Sequence, residues 1–360
     1  MIGVVLIFFL LILILIMIYI LKRIGKFSFL SNKKVKIISL VFILFIFIIF
    51  MFLDMVNTVV VTMYIFIFLA IGDLLSLILS KVLKKSINYN ITGITSIVLL
   101  VLYLSYAYFL AHNIVQTNYK IDTNKNIGFN TFRIVQISDT HIGSLFSGKE
   151  FEEYMLKINN LNPDLIVITG DFIDDDTSYN DMVDSCIALG KLKSKYGVYF
   201  SYGNHDKGYF NRRSYKYTDL EKNLGKNNVI ILEDKGTFVT SNIYLIGRKD
   251  TQEVNRLSIS ELVKNVNKDN YIVVLDHEPN DYENEKNSKV DLVLSGHTHG
   301  GQLFPLGYVG VALGMNDMFY GMKKIDNTTF IVNSGMGDWN IKFKTHTIAE
   351  YVVIDISNNR

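Results

Sequence analysis

Hydrophobic positions follow two different patterns along this chain. Up to residue 112 they run almost unbroken, in four stretches at about Ile2–Leu21, Val35–Leu53, Val56–Leu79 and Ile91–Ala111. About twenty apolar residues let a helix cross the hydrocarbon core of a bilayer, where the backbone must satisfy its own hydrogen bonds. Each stretch therefore predicts a spanning helix, and residues 1–112 a four-helix transmembrane region. The first stretch lacks a basic lead-in and a small-residue cleavage pattern, so it is expected to stay as a span rather than act as a signal peptide. Residues 113–130 are polar, rich in Asn, Thr and Lys and without a clear period, and they read as a linker. From Thr131 to about residue 357, β-branched runs alternate with amphipathic stretches, the pattern of an α/β domain.

Charge adds an orientation. The loop Lys22–Lys36 carries six Lys/Arg and the loop Lys81–Asn90 three, whereas the turn at Asp54–Thr58 has none. Basic loops stay in the cytoplasm, which predicts a multi-pass protein of the cell membrane with its α/β domain on the extracytoplasmic side. The domain itself holds more acids than bases, so no nucleic-acid partner is expected. Asp73 falls inside the third stretch with no charged partner in the other stretches, which favours packing or a near-interface position over a functional membrane site. A lone cysteine, Cys186, excludes an internal disulfide and a cysteine-based zinc site, and reads as a buried side chain.

The chemistry lies where the apolar runs of the α/β domain stop. Thr131–Ser138 ends in Asp139-Thr140-His141, Asp164–Thr169 in Gly170-Asp171, and Gly197–Tyr202 in Gly203-Asn204-His205-Asp206. Tyr271–Leu275 ends in Asp276-His277, and Asp291–Leu294 in Gly296-His297-Thr298-His299. Five of the seven histidines stand at these five strand ends; His112 and His346 have no motif around them and read as interfacial and structural. Carboxyl ends of strands in open α/β sheets converge on one crevice. Packing would not place Asp, Asn or His after every strand, and an acid/base couple would use only two imidazoles. Metal ligation uses them all, with Gly296, Gly300 and Gly301 allowing the tight turn that points both loop histidines inward. Imidazoles, carboxylates and an amide oxygen without thiolate suit Mn²⁺, Fe or Zn²⁺. So many ligands exceed the needs of one ion, and two divalent ions about 3.5–4 Å apart are expected, with Mn²⁺ favoured.

These blocks, in this order, resemble the calcineurin-like metallophosphoesterase superfamily: D-x-H, G-D, G-N-H-D, a lone H and G-H-x-H, spread over Thr131–Ile356. The segments PDLIVITGD and GHTHGGQ are most similar to a bacterial membrane-associated branch that includes UDP-2,3-diacylglucosamine hydrolase-like phosphoesterases. The resemblance implies a two-sheet β-sandwich flanked by helices and a dinuclear phosphoesterase. It implies a first ion on Asp139, His141, Asp171 and His299, and a second on Asp171, Asn204, His277 and His297, bridged by Asp171 and a hydroxide. It further implies that His205 serves the leaving-group oxygen as transition-state stabiliser or general acid, with Asp206 orienting it. Arg248-Lys249-Asp250 departs from relatives that often carry a small or acidic residue there.

Substrate signals are weaker. Arg212 and Arg213, near Tyr209, Phe210 and Tyr215, fit either a second phosphate or head group, or a solvated helix face. Phe304–Met322 is apolar and glycine-rich, either a lip for a lipid tail or a hairpin packed in the core. A membrane tether concentrates bilayer-bound phosphoesters near the site, which favours a lipid-linked or envelope phosphoester or pyrophosphate over a diffusible nucleotide. A non-catalytic membrane sensor would have lost a ligand, and none is lost. A transporter is disfavoured because the spans lack paired charges.

Overall fold

A computed structural model describes residues 2–208 and 212–358, and the chain divides into two compact units at the Ala107–Tyr108 junction. The first unit contains α1 (Ile2–Ile24), α2 (Lys33–Leu53), α3 (Met55–Leu83) and most of α4 (Tyr89–His112). Among the described residues α2, α3 and α4 are long and apolar enough to cross a membrane. The first predicted stretch is also helical, as the 23 residues of α1. No side chain of α2 is buried, and Phe52 is 87% exposed, so this helix has almost no protein against which to shelter its apolar surface.

Asp73 has the partner that the sequence did not reveal. Arg23 donates from Nε to its carboxylate at 2.7 Å, and the Tyr19 hydroxyl donates to the other oxygen at 2.8 Å. Counting Lys and Arg assigns Arg23 to a basic loop, but α1 continues to Ile24 and carries it on the helix. A charge this sheltered persists only when paired. Contrary to the expectation from sequence, the helical unit does hold a paired charge.

The second unit runs β1 (Val115–Thr123), β2 (Thr131–Ile137), α5 (Gly148–Asn159), β3 (Leu165–Thr169), α6 (Tyr179–Gly190), β4 (Val198–Ser201), α7 (Tyr217–Lys226) and β5 (Val229–Ile231). It continues through β6 (Lys235–Phe238), β7 (Ile243–Gly247), α8 (Ile259–Leu262), β8 (Tyr271–Leu275), α9 (Tyr282–Asn287) and β9 (Leu292–Ser295). The last elements are α10 (Leu306–Ala312), β10 (Gly321–Ile325), β11 (Thr328–Val332) and β12 (Glu350–Asn358). One mixed sheet has the order β1-β12-β2-β3-β4-β5 and the other β10-β11-β9-β8-β7-β6. Residues 115–123, expected within a linker, instead form β1, an edge strand parallel to β12 with Ile121 opposite Ile356. Every second residue of β1 is sheltered, namely Val115, Thr117, Tyr119, Ile121 and Thr123, and the exposed Gln116, Asn118, Lys120 and Asp122 between them give the stretch its polar look.

Alternation in the inner strands builds the layers. Along β2, Phe132 and Ile134 enter the core between the sheets, while Val135 and Ile137 face the helices α5, α6 and α7. In β3, Leu165 and Val167 point inward and Ile166 and Ile168 outward, so the strand reads as one continuous apolar run. The outer face of the second sheet packs Ile246, Val274 and Val293 against Ile259 of α8 and Tyr282 of α9. Helix starts are chemically marked: Ser147 and Glu150 form a capping box on α5, and Ser178 caps α6. Helix–sheet–sheet–helix is thus the architecture, with β2, β3 and β4 adjacent in one sheet and β8 and β9 in the other. Gln136 ties the sheets together near these strand ends, donating to Thr169 Oγ1 at 2.9 Å and to the Ser295 carbonyl at 3.0 Å.

Ile354 sits fully buried on β12, with β1 and β2 on either side, and contributes to the inter-sheet core. Ile354→Ala is expected to cost about 2–5 kcal/mol. Trp339, the single tryptophan, reports on this unit. Its emission during urea unfolding should show a lower midpoint in the variant; an unchanged midpoint would contradict this packing.

Candidate metal centre

Five strand ends deliver the predicted ligands to one place. After β2 the chain places Asp139 and His141, after β3 Asp171, after β4 Asn204 and His205, after β8 His277, and after β9 His297 and His299. Among the described residues three groups of ligand atoms lie within 4.8 Å: Asp139, His141 and His299; Asp171, His277 and His297; and His141 with Asp174 and His205, the first two being built from predicted ligands alone. Asp171 joins them. One of its carboxylate oxygens lies 3.1 Å from His277 Nε2 and 3.7 Å from His141 Nε2. Asn204 completes the second group, its Oδ1 3.0 Å from His297 Nδ1.

Sharp turns at the strand ends make this convergence possible. Asp139, His141, Asp171, His297 and His299 all adopt left-handed backbone, with φ of 48°, 40°, 51°, 69° and 49°. Asp and His tolerate that region better than most residues, yet a run of such positions is costly and clusters where a site demands it. Gly300 and Gly301 also have positive φ, at 63° and 76°, as the sequence suggested. Gly296 serves differently: a Cβ there would collide with Ser138 Oγ and the Asp139 carboxylate. It is small so that β9 can close against β2.

Electrostatics match an ion-binding centre. Asp139 is fully buried and Asp171 2% exposed. Burial works to raise the Asp171 carboxyl, but the imidazoles of His277, His141 and His205 outweigh it and hold the group well below the usual carboxylate range. Burial disfavours a charged His277, and the Asp171 carboxylate overcomes this and lifts it well above the usual imidazole value. Nε2 of His141 and Nε2 of His277 are buried without a hydrogen-bond partner. Buried ring nitrogens without a donor or acceptor, aimed at a carboxylate oxygen, are what metal ligands look like before their ion is counted. The other nitrogen of each ring is occupied: His277 Nδ1 donates to the Thr169 carbonyl at 2.8 Å, and His141 Nδ1 faces Asp174 Oδ2 at 3.2 Å. The donor set therefore fits a pair of divalent ions.

Other expected roles change. His205 is buried beside the centre, its ring 5.1 Å from that of His141, but the carboxylate at its Nδ1 is Asp174, at 3.2 Å, rather than Asp206. Asp206 accepts from the backbone N–H groups of Asp171, Phe172, Ile173 and Gly203, at 2.8 to 3.2 Å. It braces the turn that carries Asp171 and does not orient His205. Burial and the Asp171 charge push its carboxyl up to about 6, against the backbone donors. The Arg213 guanidinium donates to the carbonyls of Asp174, Asp206 and His205, which makes it a clasp for the loop. Arg212 is exposed next to it, and Tyr209 and Phe210 lie outside the described residues. Arg248 is buried and pairs with Asp276 and Asp281, each at 2.7 Å, supporting the strand end before His277.

Two carboxylates escaped the sequence reading. Asp174 contacts both His141 and His205, and fully buried Asp338 stands 3.3 Å from His299 Nδ1 and 2.7 Å from Lys344 Nζ. Such outer carboxylates fix the ring orientation of ligating histidines. Asp174 opens an acidic run, Asp174–Asp176, three residues after Asp171; that run was the available signal. Beside Asn204 lies a cavity of about 360 Å³ lined also by Lys207, Asp250 and Gln252. Asp250 faces it with its carboxyl pushed up to about 6 by burial.

The profile of the calcineurin-like phosphoesterase family matches residues 132–301. An uncharacterized metallophosphoesterase of Campylobacter jejuni is 26% identical across 98% of this chain and 97% of its own length. Another, from Bacillus subtilis, is 29% identical over 64% of this chain and 82% of its own. A zebrafish (Danio rerio) transmembrane protein with metallophosphoesterase domain is 28% identical over 61% of this chain, which spans about half, 52%, of that relative. Among solved structures, a dimetal phosphatase from Danio rerio aligns with 62% of this chain and 91% of its own, at 12% identity and a TM-score of 0.37.

Because Asp174 holds His141 in place, Asp174→Asn is expected to weaken metal binding about 10–100-fold. Calorimetric titration of Mn²⁺ into the purified full-length chain measures this, and an unchanged affinity would contradict the assigned contact.

Proposed function

We propose that the chain, whose residues 132–301 match the calcineurin-like phosphoesterase family, hydrolyses a lipid-linked or envelope phosphoester or pyrophosphate at a two-metal centre, on the outer face of the cell membrane. Metal-dependent phosphoester hydrolysis is the family's chemistry. The observation that carries the two-ion reading is Asp171, a buried carboxylate grouped with His277 and His297 whose Oδ2 also lies 3.7 Å from His141 of the neighbouring group.

Asp139, His141, Asp171 and His299 would hold one ion and Asp171, Asn204, His277 and His297 the other. Bound there, divalent ions supply Lewis-acid stabilisation of phosphoryl charge and acidify a water; Mn²⁺ suits the donors, with Fe or Zn²⁺ as alternatives. The chain's own contribution is positional. Backbone N–H of His205 donates to Asp171 Oδ1 at 2.8 Å, and that of His297 to Asp139 Oδ1 at 2.9 Å, so the carboxylates cannot swing away. His205, whose Nδ1 lies 3.2 Å from Asp174 Oδ1 beside the centre, would hand a proton to the departing alkoxide. Trp339, its ring 5.7 Å from that of His205, forms a wall beside that position. Asp206 and Arg213 keep the loop rigid.

The lipid-linked substrate and the outward orientation are supported by the apolar helices and the basic loops between them. A carboxy-terminal reporter active only outside the cytoplasm should therefore light up. A dark reporter beside an active cytoplasmic one would reverse the orientation.

Two further outcomes test the chemistry. Full-length chain with Mn²⁺ should cleave an aryl phosphate mono- or diester, and Asp171→Ala should reduce this to background; retained turnover in that variant would end the two-metal reading. His205→Ala should slow alkyl phosphate esters about 10²–10⁴-fold, the usual contribution of a general acid. Nitrophenyl esters, whose leaving group departs without a proton, should suffer far less, and equal losses on both would remove the acid role from His205.

A further inference from the structure

The loop that carries His297 and His299 leads directly into a surface with no charge on it. From Gln302 to Asn316 the sequence contains no Asp, Glu, Lys, Arg or His. The segment is neither buried nor a hairpin: it forms α10, with Leu306 and Tyr308 each 56% exposed, and runs on through Leu313 at 72% and Met315 at 65%. Phe304, just before the helix, is 56% exposed. Soluble surfaces rarely gather this many large apolar side chains in a dozen residues, and such a patch marks something that covers it.

Its position narrows what that is. Gln302 Nε2 donates to the carbonyls of Ile341 and Phe343, at 3.2 and 2.8 Å, and the Phe304 N–H donates to Thr345 Oγ1 at 2.6 Å. The rings of Phe304, Tyr308 and Phe319 surround His346 at 5.8–6.1 Å. The strap 341–347 that anchors α10 also packs Phe343 on Tyr108, 6.4 Å away, in the last turns of α4. Immediately beyond it, the Ala349 N–H donates to the Leu110 carbonyl at 2.9 Å. The uncharged surface is thus tied, through one short strap, to the end of an apolar helix long enough to cross a membrane.

We propose that α10 with Phe304, Leu313 and Met315 is a seat that dips into the lipid bilayer beside the end of α4, and holds the His297–His299 loop close to the lipid surface. Amphipathic segments lie in the interfacial plane by burying such a face, and the aromatic rings of Phe304 and Tyr308 suit that depth. A protein partner would be expected to find hydrogen-bonding or charged groups for register, and this face offers few. The inference rests on the reading that α4 lies in a membrane. It does not depend on the reaction catalysed.

The test uses full-length chain in phosphatidylcholine/phosphatidylglycerol nanodiscs. A nitrobenzoxadiazole fluorophore is placed on Leu313→Cys, or on Met315→Cys should the first fold poorly, with Asp326→Cys as an exposed control in the β10–β11 turn. Cys186 is buried, and burial pushes its thiol up to about 12, so it does not compete for label. Lipids with a shallow nitroxide should quench the α10 probe strongly and the control hardly at all. Equal quenching at both positions overturns the proposal. A probe shielded from lipid nitroxide and aqueous iodide alike, in particles holding two chains, would assign the face to a second copy and equally overturn it. Because no turnover is read, failure here leaves the hydrolytic reading standing, and an inactive chain could still show the seat.

Discussion

A carboxylate as deeply enclosed as that of Asp171 cannot persist without positive charge around it, and the α/β unit is arranged to supply that charge. Desolvation of an unpaired carboxylate would cost several kcal/mol or shift the group to its neutral form. Here His141 and His277 come from different sheets to meet one of its oxygens, while the backbone N–H of His205 holds the other. These groups would still leave Asp139 and Asp174 buried close by, whereas Asp338 is paired with Lys344 Nζ at 2.7 Å. Two divalent ions would balance that remaining negative charge, which is why the centre makes physical sense as a metal site and little sense as packing.

The fold serves this constraint through the direction of its strands. In the first sheet β2, β3 and β4 are parallel neighbours, and in the second β8 and β9, so five turns open on one edge of the sandwich. Close approach of those turns leaves no room for side chains where the sheets meet. A Cβ on Gly203 would strike Asp171, and one on Gly170 would strike both the Gly203 backbone and His277. Left-handed backbone at five candidate ligands is the conformational cost of the same convergence. Asp206 and Arg213 offset it by satisfying the backbone groups these turns leave exposed.

How much of this the sequence disclosed follows from the range over which each residue acts. Strands such as β3, buried on both faces, announce themselves as apolar runs, and a ligand placed right after such a run is legible. Edge strand β1 alternates sheltered Val115, Thr117, Tyr119, Ile121 and Thr123 with exposed Gln116, Asn118, Lys120 and Asp122, a period-two signal masked by the polar composition of the stretch. Asp174 and Asp338 act through space on histidines in other loops; the acidic run three residues after Asp171 hints at the first, and nothing local distinguishes the second from a surface acid. Asp206 and Arg213 were assigned chemistry because they stand beside His205 in sequence, whereas their partners are backbone groups. Arg23 and Asp73, fifty residues apart, show the same limit in the helical unit: a pairing across helices leaves no trace in a loop-by-loop charge count.

What the account stands on is that Asp171 is shared. Anomalous diffraction from Mn²⁺-loaded crystals addresses this directly. The expected map has two peaks, one among Asp139, His141 and His299 and one among Asn204, His277 and His297, both in contact with the Asp171 carboxylate. A single peak, or two that leave Asp171 unliganded, would contradict it.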